Sequence, residues 1–404
     1  MAGHATGFWH RMAAFRRSHL ERPETGNPGS KILVIWAIRA RMKVTRALLL
    51  SIALAVAMHA NARASQSQFF QVRMRSALLS AFWHRPIHMN AYVLTPDSFY
   101  KEPERRFPII YWIPGFDGTG DISLARELAW QRPMRTQHSQ FIMVFLDGMF
   151  NGMDDVFADS ANNGPWGTAL VSELMPVIEW RFRAIGTPQT RFVGGHSSGG
   201  WAALWLQITY PSLFGGEWSI SPDPVDFRDF TGPDLTRMPP QNFFTDTSGH
   251  GYLLAGQWLS SFVIGPGWEH AQFESFNAVF SPRGANGKPE PLFDWRTGKI
   301  DPVVERYWEH HYDIARILRK HWTALAPQLR GKLHIIVGSA DQFGLERPVQ
   351  LLQRELQCLG SDAQVEYVPG ADHFSVYYLH GNKYADIIRG ATALSALKYT
   401  AQKR

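Results

Sequence analysis

The run Arg191-Phe192-Val193-Gly194-Gly195-His196-Ser197-Ser198-Gly199-Gly200-Trp201 constrains the fold more than any other stretch of the chain. Apolar strand formers lead into glycines and then into a helical pattern, Trp201–Thr209, so a strand must turn into a helix where flanking side chains have no room. A strand feeding a helix in this way belongs to a crossover unit, and such units build parallel sheets. Further short apolar runs repeat the strand pattern at His88–Leu94, Pro108–Trp112, Phe141–Leu146, Glu217–Ile220, Leu333–Val337 and Gln364–Val368. Helical spacing marks Thr168–Arg183, where Leu170, Leu174, Val177 and Ile178 share a face and Pro176 is placed to kink it, and also Val303–Trp322 and Val349–Leu359. The expectation is an α/β fold, a mainly parallel sheet with helices on both faces.

About 110 residues separate the strand ending near Ile220 from the one starting at Leu333, far more than a crossover needs. This segment, about 222–330, is rich in aromatics: Phe227, Phe230, Phe243, Phe244, Trp258, Phe262, Trp268, Phe273, Phe276 and Phe280. It reads as a lid-like insertion before the last two strands, whose aromatics either build its own core or line an apolar acyl site.

The net charge of +6 misleads until it is divided. Residues 1–64 hold ten Lys and Arg against two Asp and Glu, so 31 of the 41 basic and 33 of the 35 acidic residues fall in 65–404, a net charge of −2 there. A basic leader on an acidic body argues against nucleic-acid binding. From Met42 the chain runs Lys43-Val44-Thr45-Arg46, then apolar to Met58, then Ala60-Asn61-Ala62-Arg63-Ala64. A charged start, a short apolar run and A-x-A spacing describe a secretory signal peptide, with Met42 as the working start and 1–41 as an extension ahead of it. The apolar run is too short for a stable membrane anchor. The expected product is exported, periplasmic or secreted, with its globular domain at 65–404. Cys358 is the only cysteine, which excludes an internal disulfide, and its helical surroundings suggest a buried small hydrophobe.

Within the glycine turn, Ser197 alone has Gly two residues before and two after, as a serine exposed at the apex of a tight strand-to-helix turn requires. Ser198 has His196 in the first of those places and is left with a backbone role. A serine hydroxyl attacks only once a base takes its proton, and that base needs a carboxylate to orient it. Asp341 follows the strand at Leu333–Val337, and His373 follows the next strand in Pro369-Gly370-Ala371-Asp372-His373. Ser, Asp and His thus come in an order that places all three at carboxyl ends of parallel strands, where such sheets bind ligands. Asp362 and Asp372 are the alternative acids. The N–H groups of Ser198 and of Phe116, in the turn Ile113-Pro114-Gly115-Phe116-Asp117-Gly118, are candidate donors to an oxyanion.

With Phe107-Pro108-Ile109-Ile110-Tyr111 leading to Pro114-Gly115-Phe116-Asp117-Gly118, Asn163-Gly164-Pro165-Trp166 followed by Glu173-Leu174-Met175-Pro176-Val177-Ile178-Glu179, the Gly195–Gly199 turn and Gly370-Ala371-Asp372-His373, the chain resembles the Putative esterase family of α/β hydrolases. That family includes enterochelin, feruloyl and acetylxylan esterases, S-formylglutathione hydrolases and mycolyltransferases. The similarity covers roughly 75–225 and 330–380. It implies the α/β-hydrolase fold and carboxylic ester hydrolysis by a Ser-Asp-His triad, with Ser197, Asp341 and His373 in the matching places. The chain departs from the common pattern at Ile113-Pro114-Gly115, where many members have His before the glycine, and in the aromatic insertion.

Trp166 either floors the site or packs. Asp154, Asp155 and Asp159 read as a solvated acidic loop, since His and Cys ligands at metal spacing are missing. His310 and His311 are adjacent rather than four apart and read as surface or packing residues. Neither a zinc signature nor a Walker loop occurs, and no cofactor or metal is expected. The expected partner is a small-molecule ester. Acyl transfer on the same triad, or an exported non-catalytic binding protein of the same fold, are the alternatives, and the residues leave the ester and the oligomeric state open.

Overall fold

The computed structural model describes residues 69–118, 140–239, 242–245 and 272–377. The chain divides into two units, Met1–Ser65 and Gln66–Arg404, and all described residues belong to the second. The leader, the aromatics Trp258, Phe262 and Trp268, and residues 246–271 of the segment read as a lid lie outside the described residues.

Eight strands form one sheet: β1 (Phe69–Ser76), β2 (Ile87–Leu94), β3 (Ile109–Ile113), β4 (Ile142–Leu146), β5 (Arg191–His196), β6 (Gly216–Ile220), β7 (Leu333–Gly338) and β8 (Gln364–Val368). Their order across the sheet is β1-β2-β4-β3-β5-β6-β7-β8. β1 and β2 pair antiparallel with each other, and β2 does so with β4; the six strands from β4 to β8 are parallel. Seven of the eight strands stand within two or three residues of the expected runs. The exception is β1, an edge strand with only Val72 and Ser76 buried, in which Phe70, Val72 and Met74 alternate with exposed Gln71, Arg73 and Arg75.

Central strands are apolar on both faces. In β3, Ile109, Tyr111 and Ile113 join one core cluster while Ile110 and Trp112 join the other, and β4 divides likewise. The larger cluster takes in the buried faces of the helical segment Trp166–Arg181 and of α4 (Ser198–Thr209), α6 (Pro302–Tyr312), α7 (Ile314–Leu329) and α8 (Glu346–Cys358). The segment Trp166–Arg181 comprises α2 (Trp166–Ala169), a π-helical turn at Leu170–Leu174 and α3 (Met175–Arg181). Pro176, placed to kink a helix, stands two residues past the π turn as the second residue of α3, where a missing N–H is tolerated. Glu173 in that turn reaches the start of α1 (Ala77–Trp83), accepting from the N–H groups of Ala77 and Leu78 at 3.0 and 3.1 Å.

The expected helix Val303–Trp322 is broken at Asp313. Its extended backbone ends α6, and its carboxylate caps α7 by accepting from Arg316 N–H at 3.3 Å. Cys358 departs from its reading as a buried hydrophobe: it is exposed, because α8 turns Val349, Leu352 and Leu356 inward and leaves position 358 on the outer face. Among the insertion's described aromatics, Phe230 and Phe280 lie 5.6 and 5.3 Å from Trp308, and Phe280 lies 4.9 Å from Trp201 of α4. These rings build core continuous with that of the sheet. Trp166 likewise packs, against Phe150 at 5.2 Å, while His310 and His311 are exposed.

Candidate active site

The turn after β5 is built by exclusion. A Cβ at Gly195 would stand 2.1 Å from the carbonyl oxygen of Gly199, and one at Gly199 would stand 2.1 Å from that of Ile113. Both positions must therefore be glycine for β5, α4 and the end of β3 to meet. Ser197 between them has φ 59° and ψ −123°, a conformation that L-residues rarely adopt. It is held on both sides: its N–H donates to Ile220 O at 2.9 Å, and its carbonyl accepts from Trp201 N–H at 3.0 Å and Asp223 N–H at 3.2 Å.

At the carboxyl ends of β7 and β8, Asp341 Oδ2 and His373 Nδ1 are 2.8 Å apart and both residues are buried. A carboxylate accepting at Nδ1 fixes the proton there and leaves the Nε2 lone pair free for a proton in transit. Asp341 Oδ1 accepts from Phe343 N–H at 2.9 Å, and His373 N–H donates to Gln342 Oε1 at 2.9 Å, so the acid and its neighbour hold the His loop. His196 Nε2 donates to His373 O at 2.9 Å, tying that loop to the residue before Ser197. The alternative acids are engaged elsewhere: Asp362 accepts from Gly331 N–H, and Asp372 is exposed and accepts from Phe374 and Ser375 N–H.

The turn after β3 comes up against the serine, since a Cβ at Gly115 would lie 3.0 Å from Ser197 Cβ. Pro114 and Gly118, flanking half-buried Phe116, line a small cavity with Ser198, Gly199 and Asp154. Ser198 opens α4, so its N–H has no partner within the helix.

Three residues reach the site without having been read there. Asp223, just past the carboxyl end of β6, is buried, and its Oδ1 accepts from Ser197 Oγ at 3.4 Å while Oδ2 accepts from Ser198 Oγ at 2.6 Å. Gln272, at the start of α5 (Gln272–Phe280), donates to Asp223 Oδ2 at 3.1 Å and Oδ1 at 3.3 Å. Asp154 corrects the reading of a solvated loop. Asp154 and Asp155 are both buried, because the hairpin Met149–Phe150/Met153–Asp154 tucks under α5, where Ser275 Oγ accepts from Asp154 N–H at 3.1 Å. Asp159 alone of the three is exposed. Burial, and then the negative charge of Asp223, hold the Asp154 carboxyl well above the usual range. Burial also raises Asp223, opposed by the Ser198 hydrogen bond, by nearby His373 and by the Gln272 and Ser197 hydrogen bonds. A signal for Asp223 was available: Ser221-Pro222-Asp223-Pro224 places an acid past a strand end by the same logic that selected Asp341. Among the described residues no group of three or more His, Cys, Asp or Glu is arranged to hold a metal ion.

A family model described as "Putative esterase" matches residues 84–384, about three quarters of the chain. The chain belongs to that family and is an esterase. Among solved structures, this esterase is similar to a ferulic acid esterase at 15% identity and a TM-score of 0.55, with 82% of this chain and 99% of that one covered. An S-formylglutathione hydrolase from Agrobacterium tumefaciens matches at 17% identity and a TM-score of 0.48, covering 82% and 96%. At 15% identity the ferulic acid esterase match bears on the fold, which is that of the α/β hydrolases. No curated protein matches the chain in sequence.

Proposed function

We propose that this esterase cleaves a carboxylic ester through an acyl-enzyme, with Ser197 as nucleophile, His373 as base and Asp341 as the acid that orients it. His373 Nε2 takes the Ser197 proton as Oγ bonds to the ester carbonyl carbon, and the N–H groups of Phe116 and Ser198 receive the oxyanion. His373 then passes that proton to the alkoxide oxygen as the C–O bond breaks, and the alcohol leaves. A water, deprotonated by the same Nε2, attacks the acyl carbon, and the proton returns to Ser197 as the carboxylic acid departs. The observation that carries this reading is the 2.8 Å contact between His373 Nδ1 and Asp341 Oδ2, set beside a serine held at positive φ. In the resting arrangement the Ser197 hydroxyl donates to Asp223, so it must turn to His373 as substrate enters.

A fluorophosphonate tests the reading directly, because it attacks only an activated serine. One adduct is expected, on Ser197, and it should vanish in Ser197→Ala and His373→Ala. An adduct on Ser198, or labelling unchanged in His373→Ala, would overturn it. Export by a signal peptide at 42–64 is the second part of the proposal, motivated by the charged, apolar and A-x-A pattern there. Protein made in a bacterial host with its own leader should begin near Ser65, and recovery of intact residues 1–64 would refute the signal.

A further inference from the structure

We propose that Asp223 is a specificity-determining residue of this site and selects esters whose acyl group carries an ammonium one or two carbons from the scissile carbonyl; the inference rests on Ser197 being the nucleophile. Asp223 is tied to that serine twice, through its N–H to the Ser197 carbonyl and through its carboxylate to the Ser197 hydroxyl. Its two oxygens are unequal. Oδ2 is taken by Ser198 Oγ at 2.6 Å and by Gln272 at 3.1 Å, whereas Oδ1, the oxygen on the Ser197 side, has among the described residues only long contacts, 3.4 Å to Ser197 and 3.3 Å to Gln272. Among the described residues neither Lys nor Arg forms an ion pair with Asp223.

This arrangement works against a neutral substrate in two ways. The Asp223 carboxylate holds the hydroxyl proton that His373 must take, and its charge opposes the oxyanion forming close by. An ammonium on the acyl group relieves both. It donates to Oδ1 more strongly than a neutral hydroxyl does, so Ser197 is released toward His373, and it cancels the buried charge before the oxyanion develops. A compact, point-like cation suits a single weakly engaged oxygen better than a planar guanidinium, which pairs with both oxygens of a carboxylate. An anionic acyl group would be repelled.

The test compares the p-nitrophenyl esters of alanine, with a free α-ammonium, and of N-acetylalanine, each kcat/KM divided by that ester's own hydroxide-catalysed rate because the ammonium activates the carbonyl. The wild type should favour the ammonium ester by at least about tenfold, and Asp223→Asn should bring the ratio to within about twofold of unity. Inhibition of the wild type supplies a measurement independent of whether the variant folds. Benzylammonium should compete at least about tenfold more tightly than benzyl alcohol, its near-isosteric neutral counterpart. Equal normalised rates on the two esters, or equal inhibition by the two probes, with Ser197 still labelled by a fluorophosphonate, would sink the role of Asp223 and leave the esterase mechanism standing. Absence of both turnover and Ser197 labelling would overturn the two together.

Discussion

Asp341 and Asp223 occupy matching places, each buried just past the carboxyl end of a parallel strand, yet they serve opposite sides of the site. Asp341 faces His373 at 2.8 Å, and in the proposed mechanism its charge favours the imidazolium that forms during proton transfer. Asp223 faces the serine pair instead, with three hydroxyl or amide groups as donors and no cation from Lys or Arg among the described residues. Matching position therefore does not assign the role. The atom each carboxylate accepts from does, and the comparison breaks or sharpens by changing one carboxylate at a time.

The largest effects fall on the Asp341 side. Ser197→Ala and His373→Ala should each lower ester turnover by several orders of magnitude, and the double variant should be about as inactive as either single one, because both residues act on one proton transfer. Asp341→Asn should cost on the order of 10⁴ in kcat, since an Asn amide no longer fixes the Nδ1–H tautomer. Steady-state kinetics on a p-nitrophenyl ester reads all of these. Near-wild-type turnover in Asp341→Asn would erase the distinction between the two carboxylates.

Next in size is a dependence of stability on pH that comes from buried carboxyls raised chiefly by desolvation. Burial raises Asp154 and Asp155 well above the usual range, Glu305 to about 8 and Asp313 to about 8. Each binds a proton in the folded state that it releases in the unfolded one. For Glu305 and Asp313 that stabilisation is complete below about pH 4, the unfolded value, and is lost as pH rises toward 8; for Asp154 and Asp155 it is lost as pH rises through their raised folded values. Each such group steepens the loss by about 1.4 kcal/mol per pH unit inside its window. The urea midpoint should fall between pH 5.5 and pH 8, and Asp154→Asn and Glu305→Gln should each flatten that fall. A midpoint independent of pH would mean that these carboxyls stay ionised in the fold.

The same contrast explains what was legible in the sequence. Gly195, Ser197 and Gly199 could be read because their spacing within five residues is itself the pattern, even though Gly199 is held to glycine by the distant Ile113 carbonyl. Asp341 and His373 followed from strand order. Asp223 needs the further fact that β6 lies beside β5, which only the sheet supplies, and Gln272 comes from 49 residues farther along, inside the segment read as a lid. Asp154 was misread because its burial depends on α5 closing over a two-residue hairpin, a contact 121 residues apart in sequence. Exposed Cys358 shows the reverse error: the helix was expected, but which residues it turns inward depends on its neighbours.

The smallest expected effect lies closest to His373. Asp372 directly precedes His373 and was an alternative acid, but its carboxylate accepts from Phe374 N–H at 3.0 Å and Ser375 N–H at 2.7 Å, while its own N–H donates to Ser375 Oγ at 2.9 Å. It caps a turn, and hydrogen bonds from Ser375 hold its carboxyl below the usual range. The side chain is exposed, so water replaces much of what Asn would lose. Asp372→Asn should keep turnover within about threefold of wild type and cost about 0.5–1 kcal/mol of stability at neutral pH. The sign with pH is opposite to that of the buried carboxyls: a lowered folded value gives stabilisation that is present above the unfolded value and lost as pH falls through the folded one. Thermal melts of wild type and Asp372→Asn at pH 7 and pH 3 should therefore converge at the lower pH. A fall in turnover beyond about tenfold in Asp372→Asn would show that the turn positions His373 as firmly as Asp341 does, and the acid's role would then have to be shared between the two.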